Sequence, residues 1–382
     1  MKTTNIAVVG AGPAGLSAAL WLKNLGLTPI VIEREAKTGG MQNFNFLHND
    51  WVLGQLAPTG LNMASSFDLH VKERAVDIRL QCNLESIMRA NDGGFILSLN
   101  GQKTPAPKKM QSSSQVYSQS SSQVYSQSSS QVHSQSSSQV HSQSSSQVHS
   151  QSHAEKIYCD GIILANGTRY LGKEIMSHVA GVDLLERNDI IEGPYAFLDV
   201  ERHKNKRVLI VGAGDNAFEN AAMLLQQDCQ VTIIARSAPS ARSQFVDEVA
   251  VHPQSTIIDG ASIMSVKKIN PTEIEIDIRS NDSSKNHPLV SKNKSTLVVN
   301  QIHILAGYCS NADAVNSLML SGVGESLDCD NNQFLLVDRL GRTNVSHIYA
   351  AGDVCNTDFP CVVSAVASGA LAAKTASQDL LG

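Results

Sequence analysis

Two glycine-rich turns each follow a short apolar run. Gly10-Ala-Gly12-Pro13-Ala14-Gly15 comes after Ile6-Ala-Val-Val9, and Gly212-Ala-Gly214-Asp215-Asn216-Ala217 comes after Val208-Leu-Ile-Val211. This spacing between a strand and a helix is a dinucleotide-binding fingerprint. The first glycine makes the tight turn, the second lets the backbone approach a pyrophosphate, and the third packs helix on strand. The phosphates then meet a helix N-terminus, where unpaired N–H groups and the helix dipole favour negative charge. A chain with two such turns most simply builds two Rossmann-like α/β units and holds two dinucleotides. The chemistry that uses two together is electron transfer from a nicotinamide to a flavin.

The first unit reads strand Ile6–Val9, helix Leu16–Leu25, a stop at Gly26 and a second strand Pro29–Ile32. Glu33 ends that strand, 18 residues after Gly15, where a carboxylate can accept from an adenosine ribose. In the second unit the equivalent strand, Gln230–Ala235, ends in Arg236-Ser237, with Arg242 following. Cations and hydroxyls suit a ribose 2′-phosphate, so this unit reads as an NADPH site. A third motif, Ile348-Tyr-Ala-Ala351-Gly352-Asp353-Val354, precedes a helix expected from about Pro360. Its carboxylate can meet ribityl or phosphate-linked hydroxyls, and the helix N-terminus can aim N–H groups at a flavin oxygen.

Composition fits this reading. The chain has 382 residues, net charge −5 and 42% hydrophobic residues, enough for two cored domains and without the basic excess of a nucleic-acid or membrane-surface partner. The short basic runs 108–110 and 202–207 read as solvated charge. A strand within five residues of Met1 leaves no room for a signal peptide, and no run reaches the roughly 18–20 apolar residues of a membrane span. The run Val362–Ala373 reads as a buried helix. Seven cysteines, at 82, 159, 229, 309, 329, 355 and 361, form no C-x-x-C pair. A disulfide scaffold or a zinc ribbon is therefore not indicated, and a reducing cytoplasm is the expected compartment.

Residues 111–152 contain only Gln, Ser, Val, Tyr and His in an eight-residue repeat. One Val per repeat buries too little to offset ordering the backbone, so the segment reads as a disordered surface insertion. His133, His141 and His149 read as part of a repeat expansion, and no metal site is expected. Strand-like flanks, Gly94–Leu99 and Lys156–Leu164, make it a lengthened hairpin loop. A second such loop, Ser280–Ser295, lies between Glu273–Ile278 and Thr296–Leu305.

Apart from 111–152, the chain resembles the thioredoxin reductase-like branch of the pyridine nucleotide-disulfide oxidoreductases. Gly39-Gly40-Met41 resembles the family's Gly-Gly-Gln turn, and Asp50-Trp51 its Asn-Trp. Thr59-Gly60 with His70 resembles its next helix. Ile162–Thr168, including Asn166-Gly167, resembles its I-I-A-T-G strand, Gly307–Asn311 its return crossover, and Ala351–Val354 its second flavin motif. The resemblance implies FAD on Gly10, Gly12, Pro13, Ala14, Gly15, Glu33, Gly40, Met41, Asp50, Gly167, Gly352, Asp353, Cys361 and Val362. It implies NADPH on Gly212, Gly214, Asp215, Asn216, Arg236 and Arg242. It also implies a homodimer and hinged domains: a discontinuous FAD domain (1–168 and 307–382) around an NAD(P)H domain (171–305), with hinges in Gly172–Pro194 and before Gly307.

The departures bear on the acceptor. Where thioredoxin reductases carry Cys-Ala-Thr-Cys-Asp, this chain has Tyr195-Ala196-Phe197-Leu198-Asp199. Neither Tyr nor Leu can attack a disulfide sulfur, so a dithiol relay there is excluded, and Asp199 is expected to be only a polar group near the domain interface. Phe359-Pro360-Cys361 replaces a Tyr-Arg-Gln, which places Cys361 near a helix N-terminus, with Cys355 six residues before it. Either the two are small apolar fillers, or they form a relocated redox pair or a thiolate in charge transfer with FAD. Ala14 stands where single-cysteine low-molecular-weight disulfide reductases carry Cys, and no aromatic extension of the ferredoxin-reductase kind follows the last helix. Three readings stay open. The chain is a flavoenzyme for an unidentified acceptor (ferredoxin, flavodoxin, a quinone or oxygen), a disulfide reductase using Cys355 and Cys361, or a non-catalytic FAD-binding sensor.

Overall fold

A computed structural model describes residues 4–56, 58–101, 155–281, 295–355 and 359–382. The Ser/Gln repeat at 111–152 lies outside them.

The first fingerprint strand, Asn5–Val9, sits at the centre of a five-stranded parallel sheet. Thr28–Ile32 and then Asp77–Arg79 lie on one side, with Gly161–Leu164 and then Ile348–Ala350 on the other. From Ile6 to Val9 the strand is apolar at every position because both faces are covered. Ile6 and Val8 enter one core with the helices Pro13–Asn24 and Val362–Leu381, while Ala7 and Val9 enter the other. Pro13 starts the first helix, earlier than the expected Leu16, because its missing N–H costs nothing in the first turn.

The second fingerprint strand repeats this plan. Arg207–Val211 lies between Gln230–Ile234 and Gln301–Ile304, and the sheet is completed by Ser255–Ile258 and Ile190–Glu192. Val208 and Ile210 pack on the helix Asp215–Leu225, and Leu209 enters the opposite core.

Each parallel sheet is served by a three-stranded antiparallel one. Cys82–Arg89, Phe95–Gly101 and Glu155–Cys159 form the first, and Ala261–Asn270, Glu273–Ser280 and Ser295–Val299 the second. Both long polar connections therefore close hairpins, as read from the sequence. The continuous strands expected at Lys156–Leu164 and Thr296–Leu305 are each broken in two, however. At Asp160 and at Asn300 the chain leaves the antiparallel sheet and joins the parallel one. Both corners are satisfied in the same way. Asp160 Oδ2 accepts from Asn5 N–H at 2.8 Å, and Asn300 Oδ1 from Arg207 N–H at 2.9 Å. Each corner residue also donates its own N–H to the carbonyl of that same first strand residue. A local apolar pattern cannot register such a change of partner.

The strands Thr168–Tyr170 and Tyr308–Ser310 pair antiparallel as a two-stranded ribbon of their own. They follow Gly161–Leu164 of the first parallel sheet and Gln301–Ile304 of the second. Among the described residues no helix is long and apolar enough to cross a membrane.

Candidate functional site

Both fingerprints open onto one continuous cleft of ≈ 2300 Å³. Their glycines divide the work in the same way. Gly10 (φ +105°) and Gly212 (φ +129°) make the left-handed turn, and a Cβ on either would strike a carbonyl oxygen, that of Ala165 at 2.3 Å or of Leu305 at 2.2 Å. At Gly12 and Gly214 an added Cβ would meet nothing nearer than 3.9 Å. These two face the open cleft. They are also the N-caps of their helices, without a side-chain cap, so the first-turn N–H groups point there. A helix N-terminus with open space before it is the arrangement that can admit a pyrophosphate.

Glu33 is buried. Its Oε2 accepts from Ala11 N–H at 2.7 Å and its Oε1 from Glu35 N–H at 2.9 Å, leaving acceptor capacity toward the cleft that it lines. Three further acceptor atoms lining the cleft are buried without a partner among the described residues: Gln42 Oε1, Asn166 Oδ1 and Asp353 Oδ1. Burial pushes the Asp353 carboxyl above the usual carboxylate range. Buried lone pairs without donors are costly, and a chain of ligand hydroxyls would satisfy them. The residues fit the ribityl part of FAD in this respect. Asp353 is a residue that the Gly-Asp motif singled out, whereas Gln42 lines the cleft without having been singled out by its sequence. Asn166 is held by reciprocal bonds, its Nδ2 to Asn311 O at 2.8 Å and Asn311 Nδ2 to Asn166 O at 2.7 Å. The sequence signal for Asn166 is a polar residue following the apolar Ile162–Ala165. Pro13, Ala14, Gly40, Met41, Asp50, Gly167, Gly352, Cys361 and Val362 line the cleft as well. Gly15 does not. It is enclosed by packing, since a Cβ there would lie 1.9 Å from Gly10 O.

The second fingerprint places Gly212, Gly214, Asp215, Asn216, Arg236 and Arg242 along the same cleft. Arg242 is already committed. Its Nε donates to Asp215 Oδ2 at 3.0 Å, its backbone N–H donates to Asp215 Oδ1 at 2.8 Å, and its guanidinium lies 3.7 Å from Glu219 and over the Phe245 ring. Burial, with the Asp215 charge beside it, pushes the Glu219 carboxyl up to about 7. Asn216 is committed too, donating from Nδ2 to the Tyr308 hydroxyl.

The cysteines are separated. Cys361 caps the last helix, which begins at Val362, close to the expected Pro360, and its Sγ accepts from Ser364 N–H at 3.5 Å. Cys355 packs against the first unit's core and is not among the residues lining the cleft. Burial, helped by the charge of Asp353, pushes its thiol up to about 12. All seven cysteines are free. Among the described residues no cluster of His, Cys, Asp or Glu could hold a metal.

Four aromatic rings cluster around Tyr195 and Tyr170. Tyr195 is edge-on to Phe44, with centroids 5.0 Å apart, and to Tyr170 at 5.8 Å; Tyr170 lies 4.9 Å from Tyr308. All four rings line the cleft, as does Leu198, whereas Asp199 does not.

Comparison with known proteins agrees with this arrangement. The family model "Pyridine nucleotide-disulphide oxidoreductase" matches residues 4–369. A thioredoxin reductase of Buchnera aphidicola is 23% identical over 98% of this chain and 96% of its own length. A ferredoxin–NADP reductase of Ignicoccus hospitalis is also 23% identical, over 97% of this chain and 95% of its own. Among solved structures, Lactococcus lactis thioredoxin reductase superposes with a TM-score of 0.70 over 99% of both chains at 18% identity, a likeness of fold alone. The chain belongs to the pyridine nucleotide-disulphide oxidoreductase family and is a thioredoxin reductase-like enzyme, an FAD-dependent NAD(P)H oxidoreductase.

Proposed function

We propose that this enzyme passes a hydride from NADPH to FAD and then delivers the electrons to an acceptor without a protein dithiol. The observation that carries the reading is the single cleft lined by both fingerprints, which lets two dinucleotides share one space. When bound, the flavin accepts a hydride and releases electrons in a separate step. The chain's own part is to bind and orient. Gly12 and Gly214 admit the two pyrophosphates, and Glu33 holds an adenosine ribose. Gln42, Asn166 and Asp353 take ligand hydroxyls, and Arg236 meets a ribose 2′-phosphate. In this reading the FAD domain is 1–168 with 307–382, the NADPH domain is 171–305, and the Thr168–Tyr170/Tyr308–Ser310 ribbon joins them.

The acceptor is not a disulfide handled by Cys355 and Cys361. A thiol pushed up to about 12 supplies almost no thiolate at neutral pH, and Cys355 stands apart from the cleft. Relatives named for thioredoxin and for ferredoxin are equally similar, so likeness favours neither protein acceptor.

Anaerobic stopped-flow mixing of the flavin-loaded protein with NADPH, and separately with NADH, tests the reading. Rapid loss of the flavin absorbance band with NADPH, and slower loss with NADH, is expected. An unchanged band with both nucleotides would overturn it in favour of a non-catalytic FAD-binding protein.

A further inference from the structure

The two fingerprints differ at a position that lines the cleft. After Gly12 stands Pro13, and the first turn of that helix carries no acid. After Gly214 stands Asp215. A carboxylate in the first turn of a helix suits the helix dipole, but it also sets negative charge where the anionic part of a dinucleotide would approach. The second fingerprint therefore holds an anion of its own at the place proposed for the ligand's.

That anion is paired with a cation from the loop that follows the strand Gln230–Ile234. Asp215 Oδ1 accepts the Arg242 backbone N–H at 2.8 Å, and Oδ2 accepts its Nε–H at 3.0 Å. Glu219, one turn further along the helix, lies 3.7 Å from the guanidinium, whose carbon sits 4.2 Å over the Phe245 ring. The loop itself is folded back on the glycine turn, since the N–H groups of Ser240 and Ala241 both donate to Ala213 O. Arg242 is thus set beside the fingerprint, yet its single positive charge is met by one or two negative ones before any ligand arrives. An ion pair in contact offers a third charge little net attraction.

Resting on the function proposed above, we infer that Asp215 is a specificity-determining residue of the nucleotide site: it withholds Arg242, so that a ribose 2′-phosphate gains from this guanidinium only by drawing it away from the carboxylate. Arg236 and Ser237 follow the strand Gln230–Ile234, at the end where that phosphate is placed, and the same short loop carries Arg242. Nicotinamide dinucleotides with and without the 2′-phosphate are therefore held closer in affinity than two available arginines would hold them. The pyrophosphate is common to both, meets the Asp215 charge alike in either, and does not tell them apart. A local exchange of acceptors at one guanidinium separates the withheld state from the engaged one, because the loop stays fastened through Ala213 O.

Titration calorimetry on the oxidised, flavin-loaded protein tests this, with NADP⁺ and NAD⁺ as the probes. Asp215→Asn keeps an oxygen for the Arg242 backbone N–H and removes the charge. It is expected to tighten NADP⁺ about fivefold or more and NAD⁺ about twofold or less, the span of a charge-assisted hydrogen bond at a partly exposed site. The gain for NADP⁺ should disappear when Arg242→Ala is added. In the otherwise unsubstituted protein Arg242→Ala should weaken NADP⁺ about twofold or less, which keeps the inference testable should Asp215→Asn not fold. Equal tightening of both nucleotides would overturn it by reducing Asp215 to a repulsive charge. Unchanged or weaker NADP⁺ binding in Asp215→Asn, or a loss of about tenfold in Arg242→Ala, would overturn it by making the acid a brace that presents the arginine. NADP⁺ that fails to bind the unsubstituted protein, or NADPH that fails to bleach its flavin, would instead overturn the function on which the inference rests.

Discussion

The carboxylate of Glu33 accepts the backbone N–H of Ala11 at 2.7 Å, fastening the end of one strand to the middle of the first glycine turn. One side chain thereby fixes the first glycine turn, which the proposed function assigns to a pyrophosphate, and presents its remaining lone pairs to the cleft. Position in the sequence gives the second role, and the fold adds the first.

Glu33→Ala removes both. It leaves the Ala11 N–H without its acceptor in a buried place, at a cost of about 1–3 kcal/mol. The expected outcome is a lower thermal midpoint and FAD retention reduced at least tenfold, read from the flavin-to-protein absorbance ratio after gel filtration. Glu33→Gln should recover part of the stability, because an amide oxygen can still accept from Ala11.

Gly214→Val tests the second cradle. An added Cβ meets nothing nearer than Ser240 Oγ at 3.9 Å, so the protein should fold and keep its flavin. The larger side chain stands where a pyrophosphate must approach, and the KM for NADPH should rise at least tenfold. Gly212→Val, with φ +129° and Leu305 O 2.2 Å from any Cβ, should instead lose stability outright. Steady-state kinetics and thermal melts on the pair separate the two roles.

Arg236 and Arg242 read alike in the sequence but differ in the fold. Arg242 is bound by Asp215 and lies 3.7 Å from Glu219, whereas Arg236 lines the cleft beside Ser237. Arg236→Ala is expected to erase most of a preference for NADPH over NADH, and Arg242→Ala to erase less of it. The ratio of kcat/KM for the two nucleotides measures this. Equal losses in the two variants would contradict it.

His303 lies fully buried on the strand Gln301–Ile304, and neither ring nitrogen has a partner among the described residues. Burial, then the neighbouring His203 and Lys206, holds its pKa down to about 3. The unfolded chain, with an ordinary imidazole, binds that proton near pH 6.5. Stability from His303 is therefore fully present above about pH 6.5 and is lost as pH falls toward 3, by up to a few kcal/mol. Urea midpoints from pH 7.5 to 4.5 should fall in the unsubstituted protein and fall less steeply in His303→Leu.

Cys355→Ala should leave NADPH-driven flavin bleaching and turnover within about twofold, because the residue packs into a core and is not among those lining the cleft. The expected cost is about 1 kcal/mol or less of stability, for removal of one small buried group. A tenfold loss of turnover with bleaching intact would revive a cysteine relay.

The two fingerprints, Glu33 and the Gly-Asp turn were legible in the sequence because each is a local spacing set by backbone geometry. A tight turn needs glycine, and a helix N-terminus needs no partner far along the chain. The fold alone decided the rest. Asp160 and Asn300 break what read as single strands, because a chain that changes sheets must satisfy its corner through Asn5 and Arg207, far away in sequence. It also decided that Arg242 is occupied by Asp215, and that Asn216 serves Tyr308 across 92 positions of chain rather than facing the cleft free. Local pattern fixes which groups a segment carries. Which of them are left over for a ligand depends on long-range pairing, and only the packed structure determines it.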